Sequence, residues 1–428
     1  MNNTQEPRSR SALLHHPNFR WLLGGSAISL LGDQFTIVAL PWLVLRLTGD
    51  PGALGLVMAL LGVPRAVLLL VGGAAVDRFS PRRVLMLTKY VNTVLLAVLA
   101  IGVHLGWLGL PAIAVLSLAL GVSTAFSLPS GSSILAHALP PALLPGANGA
   151  IMGARQLSMF LGPLLAGLLI ALFGDGGSQA SSNAGGIALA FAVDAASYAV
   201  SAWTLGRVRM VAGSAPTAST GCLWRSMLEG LQHVWRDEQL RTCYLYWCAV
   251  ALLVLGPLTI ALPVLAASRP GFGASALGLL AGAHGAGTLV GMALAATRPK
   301  LRVGTLGTSV LLADAAIGLL FVPLGGITAA WQGAVLMALV GILGGSMQVA
   351  VFTWVQRRVP RAMLGRAMSL FMVIFMGVVP MSAAIAGWVL RVVALEQLFI
   401  GCGALLVLVA AAAWFGTPIR QVTDAQAA

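Results

Sequence analysis

The chain has 428 residues, of which 58% are hydrophobic and only 9% charged. A soluble domain carries about 25% charged residues, so a soluble enzyme, a secreted domain and a disordered scaffold are all excluded. The net charge of +13 would point to nucleic acid in a soluble protein, but no Lys/Arg tract is interleaved with exposed aromatics, and the charge reads instead as membrane topology.

The apolar residues fall in blocks of about 20 or more, the length a helix needs to cross about 30 Å of hydrocarbon. The first block runs from Phe19 to Leu47 behind Arg8 and Arg10. It is too long for the core of a cleavable signal and reads as a retained membrane helix. Twelve helices are predicted near 19–46, 53–76, 84–105, 110–137, 147–173, 186–207, 241–267, 275–297, 303–324, 328–355, 363–390 and 395–416. The fold class is therefore an all-α polytopic membrane protein with two six-helix, pseudo-symmetric halves. Residues 1–18 form a cytoplasmic tail, 19–207 the first half, 208–240 a cytoplasmic linker, 241–416 the second half and 417–428 a second cytoplasmic tail. Within the linker, apolar residues at 224, 227, 228, 231, 234 and 235 recur at helical spacing, which suits a helix lying on the membrane surface.

Charge placement agrees with this count. With both termini inside, nineteen of the 25 Lys and Arg lie on the cytoplasmic side and three outside, at Arg46, Arg269 and Arg391. The halves also share a faint repeat at a spacing of 220, where Leu139-Pro140, Leu144, Ala147 and Ala166-Gly167 recur as Val359-Pro360, Leu364, Ala367 and Ala386-Gly387. Parallel halves of this kind are a transporter architecture. Cys222, Cys243, Cys248 and Cys402 form no CxxC pair and have no His at ligand spacing, so no metal or cluster site is expected.

The second predicted helix runs into Gly73-Ala-Ala-Val-Asp77-Arg78-Phe-Ser-Pro-Arg82-Arg83. This resembles the signature loop of the major facilitator superfamily, with Ser80 where the family usually has a second Gly. Gly73 permits close helix approach, while Asp77 can pair with Arg78, Arg82 or Arg83 as a conformational latch. Leu31-Gly32-Asp33, Ala39-Leu40-Pro41-Trp42, Ala147-Asn148, Gln156 and Leu161-Gly162-Pro163 with Gly167 are similar to the drug- and siderophore-efflux branch of that superfamily. Glu229-Gly230 with Val234-Trp235-Arg236 fits the same pattern. Gly162-Pro163 resembles the motif linked with antiporters, and physically a proline flanked by glycines lets the fifth helix bend.

Ionisable groups at mid-membrane cost about 2.5–3.5 kcal/mol on insertion scales and are functional candidates. Asp33 and Arg65 lie midway along consecutive antiparallel helices. They read either as a fixed structural pair or as a protonation site, Asp33, tuned by Arg65 and by burial. Arg155 and Asp194 form a second candidate pair, with Asp194 assigned to proton coupling beside Asp33 and Arg65. Arg155, Gln156, His284 and Asp314 are assigned to a substrate cavity, with Met58, Met152, Met159, Met372 and Met376 as adaptable apolar wall. Lys89, near a helix end, is expected to snorkel to the surface. Gly278 to Gly282 and Gly341 to Gly345 read as helix-packing faces rather than nucleotide loops.

The absence of a P-loop argues against ATP hydrolysis, and no catalytic cluster marks an enzyme. The resemblance implies a secondary transporter of the bacterial cytoplasmic (inner) membrane that exports a drug-like or siderophore-like molecule by proton antiport. The expected partners are that small molecule and membrane lipid, with no nucleic acid. A monomer is expected, with no cofactor beyond the proton gradient. An importer, or a transporter of a lipid-like solute, is the alternative within the same fold.

Overall fold

A computed structural model of the chain describes residues 13–174, 184–209, 231–232, 234–298 and 303–423; the side chains of 70–78, 361, 362, 365, 369 and 373 lie outside that description. Among the described residues, twelve helices are long and apolar enough to cross a membrane. They are α1 (Pro17–Thr48), α2 (Pro51–Phe79), α3 (Pro81–Leu105), α4 (Leu110–Ala138), α5 (Leu144–Phe173) and α6 (Gly185–Gly206). Then follow α7 (Glu238–Ser268), α8 (Gly273–Thr297), α9 (Leu306–Leu324), α10 (Ala330–Arg358), α11 (361–389) and α12 (Leu395–Gly416). The amphipathic linker helix expected at 224–235 lies largely outside the described residues.

The starts of these helices follow from local chemistry. α1, α2 and α3 each open on proline, whose fixed φ and missing N–H suit the first turn. Asp237 caps α7 by accepting from the N–H groups of Gln239 and Leu240, at 3.0 and 3.2 Å. Gly49 (φ 62°), Ser80 (φ 72°) and Gly304 (φ 71°) turn the chain between helices in the left-handed region. Of these three, Ser80 alone bears a Cβ.

The repeat at 220 residues is visible in the helices themselves. Leu110–Ala138 and Ala330–Arg358 stand 220 apart at both ends. Each is closed by an extended residue, Leu139 or Val359, before Pro140 or Pro360.

Contacts divide the chain into two units. The first is Met1–Leu47 with Pro64–Thr220, and the second is Thr48–Val63 with Gly221–Ala428. In the first unit α3 packs on α6 and α4, and α5 packs on α6. In the second, α8 packs on α10, α9 on α12 and α7 on α11. The early turns of α2 belong to the second unit, where a Cβ on Gly55 would stand 3.0 Å from the Ala384 carbonyl oxygen and one on Gly387 2.5 Å from that of Pro51. α7 and α11 each contain one widened π turn, at Ala251–Leu255 and Ile374–Val378, and these turns pack against each other. Pro257 and Pro380 follow them closely. The wider turn relieves the clash between each proline ring and the preceding turn.

Candidate functional site

The site begins with α1. Gly25 and Gly32 recur after seven residues and put a narrow face toward α6. A Cβ on Gly32 would stand 2.6 Å from Ser197 Cβ and 2.7 Å from Asp194 Oδ1. One on Gly25 would stand 3.2 Å from Thr204 Cβ and 3.3 Å from Ser201 Oγ. The opposing face of α6 is a polar stripe, Asp194, Ser197, Ser201 and Thr204, all buried. The glycines make room for these side chains, as small residues do in membrane helix pairs.

The polar groups satisfy one another locally. Asp194, 1% exposed, accepts from the Thr36 hydroxyl of α1. The Ser197 hydroxyl stands 2.7 Å from the Asp194 carbonyl oxygen and 3.2 Å from its Oδ1. Asp33, on the next step of α1 after Gly32, is half-buried. It accepts a 2.7 Å hydrogen bond from the Tyr198 hydroxyl of α6. The Lys89 ammonium of α3 donates to Ser201 Oγ at 2.5 Å and lies 5.5 Å from the centre of the Tyr198 ring. Three cations act on Asp33, namely Lys89, Arg155 and Arg65, and Asp194 is within electrostatic reach of it.

Neither candidate pair is a contact ion pair, although Arg65 acts on Asp33 electrostatically, in line with the second of that pair's two readings. Asp33 and Arg65 form no ion pair. Asp33 is engaged by Tyr198, and the Arg65 Nε is buried without a hydrogen bond among the described residues. Asp194 turns into the α1–α6 seam rather than toward Arg155, which is exposed. Lys89 does not snorkel either. It is 8% exposed and held inward by Ser201 and Tyr198.

The remaining predicted residues are dispersed. Gly162 of α5 is buried where a Cβ would collide with the Gln34 side chain of α1. Pro163 and Gly167 are buried within an α5 that stays helical from Leu144 to Phe173. Gln156 is half-buried on the same helix. In the second unit, Asp314 is buried on α9 and accepts a 2.8 Å hydrogen bond from Tyr246 of α7. His284 is half-buried on α8, and its ring makes no hydrogen bond among the described residues. Of the latch, Arg82 donates to the Gly206 carbonyl at 2.9 Å and Arg83 is exposed. The side chains of Gly73, Asp77 and Arg78 lie outside the described residues. Met152, Met159 and Met372 are exposed, as are Leu172 and Phe415, in keeping with a surface that meets hydrocarbon.

Sequence reasoning missed Tyr198, Asn92 and the inward turn of Lys89. A signal was present. Asp194, Ser197, Ser201 and Thr204 recur at helical spacing, as do Lys89 and Asn92.

Comparisons with known proteins agree with this architecture. The family model of the Major Facilitator Superfamily matches residues 22–383. The chain is 29% identical over 381 residues to the multidrug efflux pump Tap of Mycobacterium tuberculosis, covering 86% of this chain and 85% of the relative. It resembles the crystal structure of the nucleoside transporter NupG with a TM-score of 0.74 at 12% identity, covering 92% and 98% of the two chains. A D-xylose–proton symporter gives 0.69 at 13%, covering 94% and 98%. At these identities the two solved structures speak to the fold alone.

Proposed function

This chain belongs to the Major Facilitator Superfamily, a multi-pass membrane transporter and not an enzyme, and from that premise we propose that it exports a drug-like or siderophore-like small molecule by proton antiport. The likeness to the Tap efflux pump supports export. The charge asymmetry of the loops supports a bacterial inner-membrane location with both termini cytoplasmic. The proton gradient is the energy source, with no bound cofactor, and the working form is a monomer.

One observation carries the coupling site: a half-buried carboxylate, Asp33, hydrogen-bonded to Tyr198 and ringed by Lys89, Arg155, Arg65 and Asp194 within one unit. Asp33 takes up a proton when the site opens outside and releases it when the site opens inside, where substrate binds. Asp194, sealed in the α1–α6 seam, sets the local field. Arg155 and Gln156 offer polar anchors to the substrate. The segment from Gly73 to Arg83 latches the cytoplasmic ends in one state and releases them in the other.

The test uses inverted vesicles enriched in the protein and energised by respiration, with a fluorescent probe of the inside-acid gradient. Candidate drugs and siderophores are added one by one. Substrate-induced collapse of the gradient, lost in Asp33→Asn, is the expected result. Full collapse in Asp33→Asn would remove Asp33 from its role.

A further inference from the structure

Lys89 and Asn92 lie one turn apart on α3, buried at 8% and 0% exposure. Lys89 is spoken for by Ser201 and the face of Tyr198. Asn92 is different. Neither its Nδ2 nor its Oδ1 has a hydrogen-bond partner among the described residues, although it stands beside the Tyr198 hydroxyl. A carboxamide buried in a membrane helix without partners is costly, and a donor supplied in another state of the protein would relieve that cost.

The hydrogen-bond inventory identifies that state. A phenol has one O–H donor and two acceptor lone pairs, and an ionised carboxylate can only accept. While Asp33 is charged, the single Tyr198 proton is committed to it, and Asn92 Oδ1 is left without a donor. Once Asp33 carries a proton, its own O–H can donate to the Tyr198 oxygen. The Tyr198 proton is then free to turn to Asn92 Oδ1. The three side chains thus form two complementary networks that differ by one proton.

We infer that Tyr198 is the positioning residue of the Asp33 site, its hydroxyl donating to Asp33 when that acid is ionised and to Asn92 when Asp33 is protonated. The added proton comes from water and binds a carboxylate oxygen of Asp33, and Tyr198 keeps its own proton throughout. The loading state of α1 is in this way passed to α3, which is already tied to α6 through Lys89 and Ser201. The charged groups facing Asp33 are Asp194 on α6, Lys89 on α3, Arg155 on α5 and Arg65 on α2. The inference rests on the reading of Asp33 as the proton carrier.

The experiment is infrared difference spectroscopy of the purified full chain in lipid across a pH titration, followed through the protonated-carboxyl band and the tyrosine C–O band. In the wild type both bands should respond together. Asp33→Asn should remove the Asp33 component of the carboxyl band, leaving any from the buried Asp194 and Asp314, and silence the tyrosine band. Asn92→Leu, close in shape but without the acceptor, should move the profile toward acid, and Tyr198→Phe should move it toward alkali. Each displacement should be roughly 2- to 10-fold in proton concentration, the worth of one hydrogen bond. Asn92→Gln, which keeps the acceptor, should restore the wild-type profile. If Asn92→Leu does not fold, Asn92→Ala takes its place in the same test. A profile unmoved by loss of the Asn92 amide, or moved the same way by both variants, overturns the switch while leaving Asp33 as the carrier. A carboxyl band and a tyrosine response both unchanged from the wild type in Asp33→Asn overturn the carrier reading itself.

Discussion

The two units use the same packing device around different contents. In the second unit, α8 and α10 meet through Gly287 and Gly291 on one side and Gly341 and Gly345 on the other. A Cβ on Gly291 would stand 2.9 Å from the Ser346 nitrogen, and one on Gly345 2.8 Å from Thr288 Cα. These neighbours are backbone atoms, so the helices are locked as a pair. In the first unit, Gly25 and Gly32 of α1 face side chains: Thr204, Ser201, Ser197 and Asp194. Hydroxyls and a carboxylate can rotate where a backbone cannot. Close-packed glycines, four apart in one unit and seven apart in the other, therefore yield a rigid pair in the first case and a seam with rotatable polar groups in the second.

Substitution at these glycines separates the two cases and carries the largest expected effect. Gly341→Leu should abolish folded protein, and Gly341→Ala should lower stability by at least about 1–3 kcal/mol, the usual overpacking range. Gly25→Ala should keep its folded yield, because the Thr204 and Ser201 hydroxyls can swing aside and the fixed Thr204 Cβ stands at 3.2 Å. Displacing them should still reduce substrate-driven proton flux on the order of tenfold or more. Thermal unfolding in detergent and vesicle flux measure the two quantities. Equal loss of folded yield in Gly25→Ala and Gly341→Ala would break the comparison.

Helix number, the repeat at 220 residues and the packing role of Gly341 and Gly345 were all legible in the sequence. Each depends on depth along a helix, and depth follows from counting residues at 1.5 Å each. Partner choice was not legible, because it depends on the rotation of each helix about its own axis. Asp33 and Arg65 lie within electrostatic reach of each other, yet it is Tyr198 that takes the hydrogen bond. Lys89 sits eight residues into α3, close enough to the end to snorkel, yet it points at Ser201. The latch expectation stays with the sequence, since the side chains of Gly73, Asp77 and Arg78 lie outside the described residues.

Each unit also holds an acid–tyrosine hydrogen bond, and these can be set against each other. Asp314 and Tyr246 are both buried, at 7% and 5% exposure, whereas Asp33 is half-buried. Tyr246→Phe leaves a sealed acid without its donor and should cost about 1–3 kcal/mol of stability. Substrate-driven proton movement should persist in that variant. Loss of transport in Tyr246→Phe at unchanged stability would move coupling chemistry into the second unit.

A smaller effect is expected at the turns that enter α3 and α9. Ser80 at φ 72° and Gly304 at φ 71° share a positive φ, which disfavours a Cβ. Ser80→Gly relieves strain in the native turn but adds freedom to the unfolded chain, for a net gain of about 0.5–1 kcal/mol. Gly304→Ser should lose a similar amount. Thermal unfolding of both variants checks the sign, and destabilisation by Ser80→Gly would mean that the serine side chain contributes more than its strain removes.

The smallest effect is expected at Asp50, which caps the start of α2 in the second unit as Asp237 caps α7. Asp50 Oδ1 accepts from the Gly52 N–H at 2.8 Å and from Arg391 Nε at 2.8 Å, and Oδ2 accepts from the same guanidinium. That guanidinium also stacks 4.4 Å from the Trp388 ring centre. Asp237 Oδ2 accepts from Arg358 Nε at 3.0 Å in the same way. Hydrogen bonding to Arg391 holds the Asp50 carboxyl below the usual carboxylate range. A depressed carboxyl contributes stability above its unfolded value, near 3.9, and loses it only as pH falls through the lower folded value. The clasp therefore keeps its charge throughout pH 5–8. Its side chains are about a third exposed, 32% for Asp50 and 39% for Arg391, so Asp50→Asn should cost about 0.2–1 kcal/mol, equally at pH 5 and pH 8. The pH profile of transport should match that of the wild type. A profile displaced within that window by Asp50→Asn would place a titrating group at this clasp, and the adjustable seam of the first unit would no longer account alone for proton dependence.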